Sequence, residues 1–249
     1  MDTRKVGRIF GWFFIGTFLT SIPARFLFLD GLGATWTDLR FTPGAGSETS
    51  LKLGAILEFG VILTNIATAV VLYPVVKRLS QWLALGYVTA RIMESAFIAV
   101  GLISIISVVN VMDGLAGATG AQAALLANQG NGFVSIYEWA FQFGPGLVVG
   151  FGNGLILGYL MYRSGLIPRR LAMLGLVAGP MLILSFVLIL FGVFENGSGP
   201  SILLLVPEIV WEASLGIYCA WKGFRSSSVT TTGRDEPTGL HAGRRSQGQ

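Results

Sequence analysis

An arginine and a glutamate stand inside one of the longest apolar runs of this chain. Arg91 and Glu94 are three residues apart in the run 83–111, so a helix places both on one face. Tyr87 lies one turn before Arg91 and is assigned with it to a polar core that could bind a ligand. A helix of this length exceeds the ~30 Å hydrocarbon core of a bilayer, and both charges fall near its midplane. Since each charge at that depth costs on the order of 3 kcal/mol, we expect both to face protein or trapped water.

Two further carboxyl groups, those of Glu208 and Glu212, lie one helical turn apart in the last apolar run. Two buried carboxylates that close cannot both ionise cheaply, so we expect a shared proton or a cation between them. The acids inside the apolar runs outnumber the two arginines there, Arg25 and Arg91, and they are Glu58, Glu94, Glu138, Glu208 and Glu212. If all are buried and ionised, a proton, an amine or a metal ion is needed to balance them.

Histidine and cysteine limit the available chemistry. The chain has one cysteine, Cys219, which excludes an internal disulfide and a cysteine-based zinc cluster. Its one histidine, His241, lies in a polar segment, which excludes a histidine base inside the membrane. Carboxylate oxygens can hold magnesium or calcium, but no spacing here is specific for either ion. We therefore predict no metal site, no cofactor and no catalytic residue.

The charged residues leave three kinds of function open. The first is binding or transport of a small cationic solute or proton, with Glu94, Glu208 and Glu212 as ligands and Arg91 as their partner. The second is a structural or accessory membrane protein in which these charges neutralise one another and lock the helices. The third is an intramembrane enzyme with a glutamate as general acid or base, which lacks any nucleophile motif and ranks lower.

The composition is that of an integral membrane protein. Of the 249 residues 53% are hydrophobic and 12% are charged, against about 25% charged in soluble domains. The net charge of +4 does not indicate a nucleic-acid partner, because the charges cluster in short loops between apolar runs. The partner that the composition predicts is the lipid bilayer.

Six apolar runs predict an all-α bundle of six transmembrane helices, at residues 9–29, 53–73, 83–111, 134–162, 172–194 and 202–220. We read the first as a retained helix rather than a cleaved signal peptide. A longer loop with small residues is expected at 112–132, with a short interfacial helix at AQAALLAN. The transmembrane domain is assigned to residues 1–225, and 226–249 to a disordered tail that has too few apolar residues to fold.

The loop charges predict the orientation. With six spans, every loop lysine and arginine except Arg40 and Lys52 falls on the side that holds both termini. The positive-inside rule then places both termini in the cytoplasm, for a protein of the cytoplasmic (inner) membrane. In this orientation Arg25, Glu58, Glu138 and Glu208 lie in the outer half, which favours a polar cavity that opens outward and narrows toward Arg91.

A glycine stripe marks the fourth span, where a small residue recurs at every fourth position: Gly146, Gly150, Gly154 and Gly158. Such stripes let helix backbones approach closely in lipid, either within one bundle or between the subunits of a homo-oligomer. The sequence Gly144-Pro145-Gly146 predicts a kink, which fits either a packing irregularity or a binding site. Asn153, within the stripe, is expected to form an interhelical hydrogen bond.

Several segments together resemble a bacterial family of integral membrane proteins known as domain of unknown function 4386. They are GPGLVVGFGNG at 144–154, GYLMYRSGLIPRRLAMLGLVAGP at 158–180, PEIVWEASLGIYCAWKGF at 207–224 and ARIMES at 90–95. The resemblance covers roughly residues 8–225. It implies a multi-pass protein of the cytoplasmic membrane and carries no reaction, substrate or cofactor.

Overall fold

The computed structural model describes residues 2–36 and 38–226. The predicted tail lies outside this part of the chain apart from its first residue. The described residues contain six helices that are long and apolar enough to cross a membrane, and no strand: α1 Thr3–Leu32, α2 Glu48–Val76, α3 Gln81–Leu115, α4 Gly120–Ser164, α5 Arg169–Leu190 and α6 Gly199–Lys222. The prediction of an all-α protein with six candidate spans is confirmed.

Local sequence sets where the first three helices begin. The side chains of Asp2, Ser47 and Ser80 each accept a hydrogen bond from a backbone N–H in the first turn of α1, α2 and α3. These residues satisfy amide groups that have no partner inside a helix. At the end of α1, Gly33 takes a left-handed conformation (φ 62°), which costs a glycine little and stops the helix.

The predicted loop at 112–132 is wrong. Helix α3 continues to Leu115 and α4 begins at Gly120, so that only residues 116–119 connect them. The AQAALLAN segment forms part of α4 rather than a separate interfacial helix. Its alanines and leucines are strong helix formers, although the segment is too polar to register as part of an apolar run. Asn131 then ties α4 to the loop after α1, since its side chain accepts a hydrogen bond from Phe41 N (3.0 Å).

The six helices form a closed ring. Each packs against the next in the chain, and α6 returns to pack against α1. We call the end where α1 begins and α6 ends the terminal end, and the opposite end the distal end. A core of large buried side chains fills the terminal half: Phe10, Phe14, Leu72, Tyr87, Leu157, Met161, Trp211 and Phe224. A second apolar cluster packs α1–α4 together near the distal end, around Phe28, Leu51, Ile105 and Tyr137.

The middle of α4 has π-helical hydrogen bonding over Gln142–Val148 and Gly150–Leu157, which covers the Gly-Pro-Gly sequence and most of the stripe. Three stripe glycines face α5 of the same chain. A Cβ atom added at Gly154 would overlap the backbone of Gly179, and one at Gly150 would lie 2.7 Å from Ile183. Gly158 lies beside Leu176 in the same way. The stripe thus packs α4 onto α5. The kink expected at Gly144-Pro145-Gly146 stays a prediction.

Candidate functional site

A cavity of about 340 Å³ lies inside the ring between the terminal core and the distal end. All six helices contribute to its wall, and Asn196 and Gly197 from the α5–α6 connection line it as well. Most of the wall is apolar, and the carboxyl, guanidinium and amide groups on it include those of Glu58, Asn65, Arg91, Glu94, Glu208 and Glu212. Its size is that of a site for a small organic molecule, for which cavities of about 300–1,000 Å³ are usual.

Arg91, Glu94 and Asn65 form a closed hydrogen-bonded triangle on the terminal side of the cavity. Arg91 Nη1 lies 2.7 Å from Glu94 Oε2, and Arg91 Nη2 donates to Asn65 Oδ1 at 2.8 Å. Asn65 Nδ2 in turn donates to Glu94 Oε1 at 2.8 Å. The Arg91 and Glu94 side chains are only 3% and 7% exposed. Both charged groups are therefore shielded from solvent, and they form an ion pair with each other. We refer to these three residues as the polar floor.

Two further contacts hold the Arg91 guanidinium against the terminal core. Its Nε donates to Thr68 Oγ1 at 3.3 Å, and its central carbon lies 5.3 Å from the centre of the Phe14 ring. A cation over an aromatic face is attracted by the ring's negative surface. The positive charge of Arg91 is therefore satisfied by Glu94, two polar side chains and one ring. Tyr87 lies in the terminal core, and its hydroxyl has no hydrogen-bond partner among the described residues.

The carboxyl groups on α6 are arranged differently. Glu208 is 2% exposed, it lines the cavity, and neither of its carboxyl oxygens has a hydrogen-bond partner among the described residues. Glu212, one turn later, also lines the cavity and accepts a hydrogen bond from Asn153 Nδ2. Trp211 Nε1 donates a hydrogen bond to the backbone oxygen of Asn153 at 3.1 Å, which holds Asn153 in place beside Glu212. Burying a carboxyl without such partners is costly, so Glu208 is the unbalanced group of the site.

Glu58 and Glu138 occupy different surroundings. Glu58 is buried and lines the cavity, within electrostatic reach of Arg25. Glu138 is half-buried and faces a neighbouring cavity near the distal end, which Asp38 and Arg40 also line. There the Arg40 guanidinium donates hydrogen bonds to both carboxyl oxygens of Asp38, at 2.6 and 2.8 Å. This hydrogen bonding and the nearby positive charge lower the pKa of Asp38 below its ordinary value.

The structure brings most of the predicted residues together. The five that line one cavity are Glu58, Arg91, Glu94, Glu208 and Glu212, with Asn153 directly behind Glu212. Tyr87 and Glu138 do not line it. Sequence reasoning overlooked Asn65 and Thr68, which complete the coordination of Arg91. The available signal was two polar side chains three residues apart in the second span, on the same helix face as Glu58.

One comparison with known proteins, a match to a family model, covers nearly all of the six helices. The family described as "Domain of unknown function (DUF4386)" matches residues 9–223, from α1 through the end of α6. No curated protein and no solved structure matches the chain. The geometry of the cavity is therefore the basis for any statement about function.

Proposed function

Since the chain belongs to the DUF4386 family, whose function is undefined, we propose a function from the cavity itself: binding of a small organic cation. The ligand is a protonated amine held by Glu208 and Glu212. The observation that carries this proposal is Glu208, which is buried on the cavity wall with both carboxyl oxygens unpaired among the described residues. Six apolar helices fit a multi-pass membrane protein, and such a protein meets its ligands inside the bilayer as well as in water.

The charge balance of the cavity favours a cation. Glu94 neutralises Arg91 at 2.7 Å, which leaves no excess positive charge on the polar floor. In the described residues the ion pairs within 4 Å are Arg91–Glu94 and two exposed pairs, and none of them includes Glu208 or Glu212. An ammonium group between these two carboxyls would supply a counter-charge to their ionised forms and hydrogen-bond donors to their oxygens.

An organic amine fits the cavity better than a bare metal ion. Calcium takes six to eight oxygen ligands, and magnesium demands an octahedral shell. In the described part of the chain no three His, Cys, Asp or Glu side chains lie close enough together to hold a metal. The remaining wall is formed largely by side chains such as Val61, Ile98, Val149 and Leu182, which suit the carbon skeleton of a ligand.

The polar floor supports a second, structural role for part of the constellation. Arg91, Glu94 and Asn65 satisfy one another across α2 and α3, as expected of charges that lock two helices. We therefore place the ligand on Glu208 and Glu212, and keep Glu94 as the partner of Arg91. No observation favours catalysis over binding.

Amine binding by the full chain tests this proposal. The protein is purified and reconstituted in lipid nanodiscs, and binding of methylammonium, ethylammonium and tetramethylammonium is measured by calorimetry at neutral pH. Glu208→Gln removes the charge with almost no change in volume. Glu138→Gln is the matched control, since it makes the same change in a helix of the same bundle but outside the cavity.

We expect saturable binding of at least one amine to the wild type and to Glu138→Gln, and an affinity about tenfold or more lower for Glu208→Gln. Equal binding by all three proteins would overturn the proposal, as would the absence of saturable binding to the wild type. Flux into proteoliposomes then separates a transporter from a binding protein. The terminal core closes the cavity toward the terminal end, so transport requires that core to open.

A further inference from the structure

Helices α1 and α6 are packed tightly at the terminal end. Added Cβ atoms at Gly7 and Gly11 would overlap the backbone of Phe224 and Ala220, and one at Gly216 would lie 3.2 Å from Phe14. Arg4 Nε also donates to the backbone oxygen of Lys222 at 3.1 Å. These contacts leave no space between the two helices along the terminal core.

Toward the distal end the same two helices border the cavity, and their side chains reach the outer surface of the bundle. Ile22 of α1 is 52% exposed, and Ile202, Leu205 and Ile209 of α6 are 43%, 38% and 44% exposed, while all four also line the cavity. Side chains that border the cavity and also carry this much exposed surface lie where its wall is thin, and we take this place as the opening of the cavity. Because these residues are apolar and lie in candidate membrane spans, an opening at this place would face hydrocarbon rather than water.

The opening leads to the carboxyl group of Glu208. Leu205, Glu208 and Glu212 follow one another along α6 at helical spacings of three and four, so the apolar border and the acids lie on neighbouring positions of one face. A ligand with its charge at Glu208 therefore has a continuous apolar path to the bilayer past Leu205. Ser21 of α1 lines the same stretch of the cavity from the other side.

We propose that the ligand is a single-chain amphipathic amine, with its ammonium group at Glu208 and Glu212 and its alkyl chain passing between α1 and α6 into the bilayer. This inference rests on the proposed function and names its substrate class. A phospholipid does not fit this site. Its negative phosphate would lie beside the carboxyl groups of Glu58, Glu208 and Glu212. The guanidinium of the polar floor, that of Arg91, is already paired with Glu94 and does not offset this charge. The cationic head has to enter without a phosphate.

Photo-crosslinking locates the alkyl chain. The probe is a dodecylamine that carries a diazirine within its chain, added to the full-length protein in nanodiscs, and the labelled residues are identified by mass spectrometry. We expect labels on Ile22, Ile202, Leu205 or Ile209, lost on competition with excess dodecylamine and lost in Glu208→Gln. Labels spread evenly over the lipid-facing surface, or confined to α3 and α4, would overturn the inference.

A substitution that fills the opening provides the second measurement. Leu205→Trp places a large ring in the gap, whereas Leu203→Trp is the matched control on the outer face of the same helix, 71% exposed and outside the cavity lining. We expect Leu205→Trp to lower dodecylamine binding by about tenfold and to leave ethylammonium binding within about twofold of wild type. Leu203→Trp should change neither.

The short and long amines distinguish the two proposals. If ethylammonium binds in a manner that depends on Glu208 while Leu205→Trp leaves dodecylamine binding unchanged, the lateral opening is wrong and the cation site stands. If neither amine binds to the wild type above the partitioning into empty nanodiscs, the cation site itself is wrong and the inference fails with it.

Discussion

Replacing glutamate by glutamine is predicted to have different effects on stability at two positions of the same cavity. In the polar floor, Glu94 Oε2 accepts from Arg91 and Oε1 accepts from Asn65. A glutamine keeps one acceptor and turns the other oxygen into an NH₂ group that faces a donor. One hydrogen bond is lost, and the buried Arg91 charge loses its counter-ion. Breaking a buried pair in this way costs about 3–5 kcal/mol of unfolding free energy.

The same change at Glu208 removes no hydrogen bond or ion pair that the described residues form. Neither carboxyl oxygen has a partner among the described residues, so the substitution loses no hydrogen bond and no ion pair. It replaces a buried ionisable group by a neutral one of nearly the same volume. We expect the unfolding free energy of Glu208→Gln to stay within about 1 kcal/mol of wild type, on either side. Amine affinity, by contrast, should fall about tenfold or more.

The assay is reversible unfolding by SDS titration in mixed micelles, followed by the circular dichroism of the helices. Glu94→Gln should unfold at a clearly lower SDS fraction than Glu208→Gln, and Glu138→Gln should resemble wild type. The double variant Arg91→Leu with Glu94→Leu should regain part of the loss, because it leaves no unpaired charge behind. Equal losses for Glu94→Gln and Glu208→Gln, or a larger loss for Glu208→Gln, would refute the assignment of Glu94 to structure and Glu208 to the ligand.

Three further predictions address other contacts of the bundle. Asn65→Leu removes the side chain that bridges both charges of the polar floor. We expect the unfolding free energy in SDS titration to fall by about 1–3 kcal/mol, with amine affinity retained. Lost affinity with unchanged stability would contradict this role. Gly154→Ala should lower the unfolding free energy by about 1–3 kcal/mol, because the added Cβ would overlap the α5 backbone. In the same titration Gly132→Ala should be neutral or slightly stabilising, because no atom lies within 4 Å of its Cβ position. The lowered pKa of Asp38 means that its pair with Arg40 stabilises the loop between α1 and α2 above the ordinary carboxyl pKa and ceases to do so as pH falls through the lowered value. The difference in thermal midpoint between wild type and Asp38→Asn should therefore be small at neutral pH, shrink in high salt and vanish in strong acid; a difference that grows on acidification would contradict it.

Hydropathy and helical spacing predicted the six spans and the closeness of Arg91 to Glu94, because both follow from local sequence. The partners on other helices did not follow from it. Asn65 meets Arg91 across 26 positions of chain and Asn153 meets Glu212 across 59, and only the packed bundle brings them together. The start of α4 was missed for another reason. Alanine and glutamine favour a helix without making a segment apolar, so hydropathy alone placed a loop there.

Glu138 shows the limit of an argument from depth alone. The predicted orientation puts it in the same half of the membrane as Glu58, yet it faces the neighbouring cavity with Asp38 and Arg40. Depth depends on position along the helix, whereas the direction of a side chain depends on how the helix is rotated against its neighbours. No single sequence gives that rotation for a helix with apolar residues on every side.

The closed terminal half of the bundle has an electrical consequence. Glu208 lies about 14 Å along α6 from its first residue, inside the candidate span, and packed apolar side chains separate it from the terminal end. A cation that reaches Glu208 from the distal side has crossed part of the membrane field, which is worth about 2.3 kcal/mol per charge for each 100 mV fully crossed. Its affinity should therefore change with membrane voltage. The sign of that change would report which end of the bundle faces the negative side of the membrane.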